Sequence, residues 1–242
     1  MKMQATHRIA AIAMASAAAL AIAGFTALGS IFEYPQILKE PTAEILASYQ
    51  AHQGPITAWF LALVVSAALL APIAILLGRI ARNSLTPWII GFGVAAAVVQ
   101  VIGLSRWVVL VPRISDDSLV PGRTASAEHT FGLVHTWLGT VLGETIGYAL
   151  TATFTVLVVI AVTQKLAPRW MSYLGYAAAA LIATGVVIPL GLSAASITNF
   201  AGYVAWCLWL IAMAVVLWRL QPVGGAEGGA ASASSPRAMR SP

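Results

Sequence analysis

The sequence predicts an all-α fold, a polytopic transmembrane bundle of about six helices with a short outer-surface helix between spans one and two. Of the 242 residues, 60% are apolar and only 9% are charged, against about 45–50% and about 25% in soluble domains. The mean hydropathy is +0.87. So few charges cannot cover a surface in water, whereas a chain in lipid needs charge only in its loops. The composition therefore excludes a water-soluble globule.

Six stretches are long enough to cross a bilayer, which takes about 20 predominantly apolar residues. They form one predicted bundle over residues 1–220. The first apolar run, from Ile9 to Phe25, has 17 residues and exceeds the usual core of a cleaved signal peptide, so we expect it to be retained. The six stretches cover roughly residues 9–31, 57–78, 87–111, 132–163, 171–193 and 198–218.

Basic residues are concentrated on one side of the predicted bundle. The two termini and the two even-numbered loops hold nine of the thirteen Lys and Arg residues, whereas the odd-numbered loops hold only three. The positive-inside rule therefore predicts that both termini are cytoplasmic. The nine are Lys2, Arg8, Arg79, Arg82, Lys165, Arg169, Arg219, Arg237 and Arg240, and the three are Lys39, Arg113 and Arg123.

The connection between spans one and two, residues 32–56, carries a helical pattern. Pro41 can open a helix in which Ile45, Leu46 and Tyr49 share one face, before Gly54-Pro55 ends it. We expect this helix to lie on the outer membrane surface and to pack over the rim of the bundle.

Residues 221–242 have a different composition from the rest of the chain. They are rich in Gly, Ala, Ser and Pro and lack apolar periodicity. Such a segment cannot bury enough surface to offset its ordering entropy. We predict a disordered cytoplasmic tail.

Two ionisable residues lie inside predicted spans, Arg106 in span three and Glu144 in span four. Each charge costs about 2.5–3.5 kcal/mol at the centre of a membrane helix, so a charge found there usually has a partner or lines a polar cavity. The two spans are consecutive and antiparallel, and both residues fall in the outer half. The sequence is compatible with a structural ion pair and with a functional pocket.

Span four carries two stripes when it is treated as a regular α-helix. At 100° per residue, five polar residues share a face with Glu144, and beside them run Gly139, Gly143 and Gly147, a spacing that lets another helix approach closely. On the same wheel His135 points away from Glu144, so the two cannot ligate one metal ion. The five polar residues are Thr136, Thr140, Tyr148, Thr151 and Thr155.

Other polar and aromatic residues cluster near the outer end. Asn199, Tyr203 and Trp206 recur at helical spacing in span six and could close an outer pocket. We predict no metal site, and His129 and His135 become candidate ligands only if haem or a metal is found. The cofactor therefore remains open.

Cysteine content and net charge exclude several classes of function. The single cysteine, Cys207, allows neither an intrachain disulfide nor a thiolate cluster. The net charge of +5 comes from basic residues beside apolar segments, where lipid phosphates and insertion polarity explain them. We therefore expect the lipid bilayer, and no nucleic acid, as a partner.

Three motifs together resemble a known family. They are Gly103-Leu104-Ser105-Arg106-Trp107, the glycine-rich segment from His135 to Tyr148, and Asn199-Phe200-x-Gly202-Tyr203. The chain resembles, over about residues 8–220, the uncharacterised bacterial family called domain of unknown function 4386. The resemblance implies a compact bundle of about six helices in a bacterial inner membrane, and it implies no reaction.

Three classes of function remain open. The first is a binding or sensing module whose outward pocket holds a small amphipathic molecule or lipid headgroup. The second is an intramembrane enzyme with Glu144 as general acid or base, although no nucleophile motif accompanies that residue. The third is a proton-coupled transporter built from a 3+3 inverted repeat, suggested by Pro72 and Pro189 in the middle helix of each half. The predicted pocket residues are Arg106, Thr140, Glu144, Tyr148, Asn199 and Tyr203.

Overall fold

A computed structural model describes residues 2–220, without the side chains of Lys2 and Ser193, and in this range the chain is helical and has no strand. The predicted tail, residues 221–242, lies outside the described residues. The helices are α1 (Lys2–Phe32), α2 (Thr42–Ala51), α3 (Gln53–Ala81), α4 (Thr86–Val109), α5 (Val111–Ser118), α6 (Thr124–Val134), α7 (Gly147–Val158), α8 (Gln164–Leu166), α9 (Arg169–Ala183) and α10 (Ser193–Arg219).

Six helical stretches are long and apolar enough to cross a membrane, which confirms the predicted number of spans. Three of them combine several elements. Helix α5 continues α4, the run from α6 to α8 is one stretch, and a 3-10 segment at Thr184–Leu190 extends α9. The stretches are Met3–Phe32, Gln53–Ala81, Thr86–Ser118, Thr124–Leu166, Arg169–Leu190 and Ala194–Arg219.

The spans form a closed ring in chain order. Helix α1 packs against α3, α3 against α4, α4 against α7, α7 against α9, and α9 against α10, and α10 returns to α1. Short turns between antiparallel neighbours explain this order. Between α3 and α4, for example, Arg82 adopts a left-handed conformation with φ of 47° and its N–H donates to the Gly78 carbonyl.

The short helix predicted between spans one and two is present as α2. It buries Ile45, Leu46 and Tyr49, the three residues expected on one face. It ends at Ala51, earlier than predicted, and Gly54-Pro55 falls in the first turn of α3, because proline is tolerated where helical N–H groups have no partner anyway. Helices α2, α5 and α6 pack against one another and over α3, α4 and the part of span four that follows α6. We call these three helices the cap.

Two buried clusters hold the bundle together. One lies toward the chain termini and draws on all six spans. The other, which we call the aromatic cluster because five of its fourteen buried residues are aromatic, lies under the cap and takes no residue from α7, α9 or α10. In it the Trp107 ring stacks on Phe60 at 4.8 Å between centroids and meets Phe32 edge to face at 5.2 Å. The cap therefore covers only one side of the ring.

Span four departs from α-helical winding at His135–Ile146, which we call the π segment because it is a twelve-residue π-helix. The hydroxyl of Thr145 follows this winding and donates to the Thr140 carbonyl, five residues back, at 2.8 Å. In α7, by contrast, the Thr151 hydroxyl donates four residues back, to Gly147. A second π turn covers Val159–Thr163.

The π winding corrects the predicted helical wheel. A π-helix bonds five residues apart, so it takes roughly four to five residues per turn rather than 3.6. Nine residues then make about two turns, and His135 lies closer to the face of Glu144 than an α-helix allows. Thr136, predicted on the polar face, is exposed.

The glycine stripe of span four packs closely against another helix as predicted, and that helix is α4. A Cβ at Gly103 would lie 2.7 Å from the Cα of Gly143, and a Cβ at Gly147 would lie 3.2 Å from Cγ of the Gln100 side chain. Residues three positions apart on α4 thus face glycines four positions apart on span four. Backbone approaches backbone at this crossing.

The two prolines that suggested an inverted repeat lie in unlike settings. Pro72 is inside α3, which continues as an α-helix on both sides of it. Pro189 lies in the 3-10 segment that ends span five. The two halves of the chain therefore do not share one broken-helix geometry.

We predict that Gly103→Ala destabilises the bundle by about 1–3 kcal/mol, because the added methyl group meets the backbone of Gly143 and the Leu138 carbonyl, which cannot move aside independently. Gly91→Ala in the same helix is the matched control, since nothing lies within 4 Å of its Cβ. Thermal unfolding of both variants in one detergent measures the difference. Equal midpoints would show that the two helices are not in backbone contact.

Candidate functional site

Arg106 is the buried charged residue around which the candidate site is built. It lies in the last turn of α4 and is 4% exposed. Its guanidinium covers Gly139 of the π segment, where a Cβ would lie 2.7 Å from Nη2. Glycine is required there because any side chain would occupy the space that the guanidinium takes.

The hydrogen bonds of Arg106 are incomplete. Its Nη1 donates to the carbonyl of Gly103 in its own helix, and its Cζ lies 5.5 Å from the centroid of the Trp107 ring. Its Nε is buried and has no hydrogen-bond partner among the described residues. A guanidinium offers five N–H donors. Most of this capacity is therefore unused.

The direct ion pair that the sequence suggested does not form. Within residues 2–220 the one ion pair closer than 4.0 Å joins Arg123 to Asp117, at 3.1 Å on the surface. Arg106 and Glu144 interact electrostatically without that contact. The crossing at Gly103 explains the difference, because it places the guanidinium over Gly139, five residues before the carboxylate.

Glu144 interacts electrostatically with three tyrosines. It is half-buried near the end of the π segment. Tyr34, Tyr148 and Tyr203 all interact with it electrostatically, as does Arg106. The structure thus brings four predicted site residues together and adds Tyr34.

Tyr34 is the residue that the sequence analysis missed. It follows α1, and its ring packs between Phe25, at 6.0 Å, and Phe60, at 5.4 Å between centroids. Burial raises the pKa of the Tyr34 phenol well above its ordinary value, Glu144 raises it further, and Arg106 opposes them. Its only sequence signal is an aromatic residue before a proline at the end of a span, which by itself indicates no site.

Tyr148 and Tyr203 form an aromatic pair between α7 and α10. Their ring centroids are 5.6 Å apart with an interplanar angle of 61°. Gly185 of the 3-10 segment packs against the Tyr148 ring and leaves no room for a Cβ at that position. Tyr203 also meets Trp206 edge to face at 6.3 Å, so these two of the three residues expected on one face of span six are in contact.

Asn199 has a structural contact. Its side chain is 5% exposed, and its Nδ2 donates to the carbonyl of Ile182 at 2.8 Å. That carbonyl lies at the end of α9, just before the 3-10 segment begins. Asn199 therefore ties α10 to the place where span five changes winding.

The threonines predicted on the polar face of span four differ in their hydrogen bonds. Thr151 and Thr155 donate to carbonyls four residues back, and they accept hydrogen bonds from Gln100 at 2.7 Å and Trp206 at 2.9 Å. Thr140 is half-buried, and its hydroxyl has no hydrogen bond to a described residue. Gln100, an amide inside span three, is a second polar residue that the same insertion-cost argument could have found.

The two histidines have different settings. His129 is exposed on α6. His135 is half-buried, stacks on Phe131 at 5.7 Å, and has a buried Nδ1 without a partner in the described part of the chain. No group of three or more His, Cys, Asp or Glu residues within residues 2–220 could hold a metal ion. Two shallow surface depressions, near Asp117 and near Arg79, contain none of the site residues.

Comparison with known proteins gives one match. The family model described as a domain of unknown function, number 4386, matches residues 9–214, which is most of the chain and includes every residue of the candidate site. No curated protein and no solved structure matches the chain.

We predict that Asn199→Ala lowers the free energy of unfolding by about 1–3 kcal/mol, because it removes the buried partner of the Ile182 carbonyl. Ile197→Ala is the control, since Ile197 is 74% exposed on the same helix. Chemical unfolding in mixed micelles measures both. If Asn199→Ala is as stable as the control, the amide is free to serve a ligand instead.

Proposed function

We propose that this chain, which belongs to the family of domain of unknown function 4386, binds the polar head of a small amphipathic molecule or lipid between Arg106 and Glu144. The observation that carries the proposal is a buried arginine with unused N–H donors and no acidic residue in contact. The conclusion comes from this site, because the family description names no reaction.

Electrostatics supports a ligand at this arginine. A buried charge with no opposite charge in contact is unfavourable, because the more distant attraction of Glu144 offsets the desolvation of Arg106 only in part. One hydrogen bond to the Gly103 carbonyl and the face of Trp107 offset only part of this cost. An anionic or carbonyl group of a ligand would use the remaining donors.

The surroundings of the site support an amphipathic ligand. Glu144, Tyr34, Tyr148 and Tyr203 are all half-buried, so each keeps accessible surface. The cap packs over α3, α4 and the π segment, and the aromatic cluster beneath it takes no residue from α7, α9 or α10. We infer that the ligand head enters on the side of these three helices, with its apolar part in the bilayer.

The chain carries no charged residue from Trp170 to Trp218, the stretch that forms spans five and six. Lipid can therefore contact the side of the bundle that the cap leaves uncovered, because spans five and six present no charged side chain to it. Thr140, with its unbonded hydroxyl on the π segment, is a further contact that we assign to the ligand.

Catalysis and transport have less support. Glu144 is the one carboxylate among the site residues named above, and no nucleophile pairs with a base beside it, so general acid-base chemistry would lack its usual second group. The unlike settings of Pro72 and Pro189 weaken the inverted-repeat argument.

We also propose the bacterial inner membrane as the location, with both termini in the cytoplasm, supported by the distribution of basic residues. The site then opens toward the outer leaflet. In a Cys207→Ala background, we expect a cysteine at Ala125 to react with an impermeant thiol reagent from outside intact spheroplasts, and a cysteine at Ser84 to react only after lysis. The reverse pattern would invert the topology.

We predict that Arg106→Gln reduces the co-purification of the bound amphiphile at least tenfold, because a charge-assisted hydrogen bond contributes about 1.5–3 kcal/mol. Native mass spectrometry of protein extracted in mild detergent measures the bound fraction. Glutamine keeps donors and much of the size, so the variant should fold.

Arg113→Gln is the matched control, since Arg113 is exposed near the same end of α4 and should leave the bound fraction unchanged. Retention of the same amphiphile by folded Arg106→Gln protein would exclude Arg106 as its receptor. Glu144→Gln separates the alternatives, because a binding site should lose affinity only moderately, whereas general acid-base catalysis should fall by about 10²–10⁴-fold.

A further inference from the structure

We infer that the ligand is zwitterionic, with an ammonium group held by Glu144 and three tyrosine rings and a phosphate held by Arg106. This inference rests on the proposed binding function and narrows its ligand to phospho-amine headgroups of the ethanolamine or choline type. It follows because the residues around Glu144 suit a cation, whereas those around Arg106 suit an anion.

The half of the site around Glu144 suits a cation. A carboxylate with aromatic rings around it is the arrangement that recognises ammonium groups, because ring faces are electronegative and the carboxylate neutralises the charge. The Tyr148 and Tyr203 rings meet at 5.6 Å between centroids, and Tyr148 follows Glu144 by four residues, one helical turn. Tyr34, in the connection after α1, interacts electrostatically with the same carboxylate. The rings thus come from three separate elements.

The half around Arg106 suits an anion with several oxygens. The guanidinium is fixed in place by Gly139 beneath it and by its bond to the Gly103 carbonyl. The planar guanidinium presents two parallel N–H donors, which fit two phosphate oxygens better than they fit one carbonyl oxygen. A phosphate would therefore use the donors that the protein leaves without a partner.

Neither charge alone satisfies both halves. A simple anion at Arg106 would be repelled by Glu144, and a simple cation at Glu144 would be repelled by Arg106, and both effects are strong away from water. The two side chains interact electrostatically yet are more than 4.0 Å apart. A molecule with adjacent opposite charges would neutralise both residues.

The test compares headgroups on identical acyl chains. The full-length protein in detergent micelles is titrated with phosphatidylethanolamine, phosphatidylcholine, phosphatidylglycerol and phosphatidic acid, and lipid binding is followed by native mass spectrometry. We expect the two zwitterionic lipids to bind at least tenfold more tightly than the two anionic ones. Free phosphoethanolamine and phosphocholine form the second arm, and competition by either at similar affinity would indicate a soluble ligand with the same chemistry.

Variants of Tyr203 test the ring contribution. Tyr203→Phe should keep the preference for zwitterions, whereas Tyr203→Leu should weaken binding of the ammonium lipids about 2- to 30-fold, the range of one cation–π contact. Tyr173→Leu is the control, since Tyr173 is 70% exposed on α9. Unchanged unfolding midpoints establish that each variant is folded.

The outcomes separate the inference from the function it rests on. Equal or tighter binding of phosphatidylglycerol that still depends on Arg106 would overturn the zwitterion and leave the binding function intact. Equal lipid binding by wild type and Arg106→Gln would overturn both. Unchanged affinity in folded Tyr203→Leu protein would remove the aromatic half of the inference.

Discussion

The site depends on the close packing of α4 against the π segment, where Gly103 meets Gly143 backbone to backbone. Two glycines at one crossing let the helices approach more closely than any pair of larger residues would. In a bilayer such packing must supply association energy, because lipid tails give no hydrophobic drive between helices. The crossing fixes the height and rotation of Arg106, whose guanidinium then has room only over the third glycine, Gly139.

The position of Arg106 explains why the buried charges do not simply neutralise each other. An arginine placed to meet Glu144 directly would form a buried ion pair, in which each charge offsets part of the desolvation of the other. Here the guanidinium and the carboxylate act on each other and on Tyr34 without touching. On the proposed function, a bound group supplies the contact that a direct pair would have made. The buried arginine without an acidic residue in contact therefore supports the proposed binding site.

The sequence predicts much of this fold because the relevant signals are local. Apolar length marks the six spans, and α2 buries the face formed by Ile45, Leu46 and Tyr49. Insertion cost marks Arg106 and Glu144, because a charge in lipid is unfavourable whatever surrounds it. The glycine stripe marks the face of span four that meets α4.

The remaining features depend on tertiary contacts. A wheel drawn at 100° per residue assumes α winding, and nothing in the residues from His135 to Ile146 indicates a π-helix, so the wheel misplaces His135 relative to Glu144. Tyr34 lies outside any helical pattern, and only Phe25 and Phe60 fix where its ring goes. The side-chain N–H of Asn199 donates to the carbonyl of Ile182. The two residues are seventeen positions apart in the sequence, so residue spacing cannot reveal this contact.

The most direct test is an electron-microscopy map of the protein in nanodiscs made from the membrane lipids of its own host, with an antibody fragment as fiducial. We expect density for a bound headgroup between the Arg106 guanidinium and the Glu144 carboxylate, bordered by Tyr34, Tyr148 and Tyr203. A map with the carboxylate in direct contact with the guanidinium, and no density between the tyrosines, would contradict the binding site and leave the two charges as part of the scaffold.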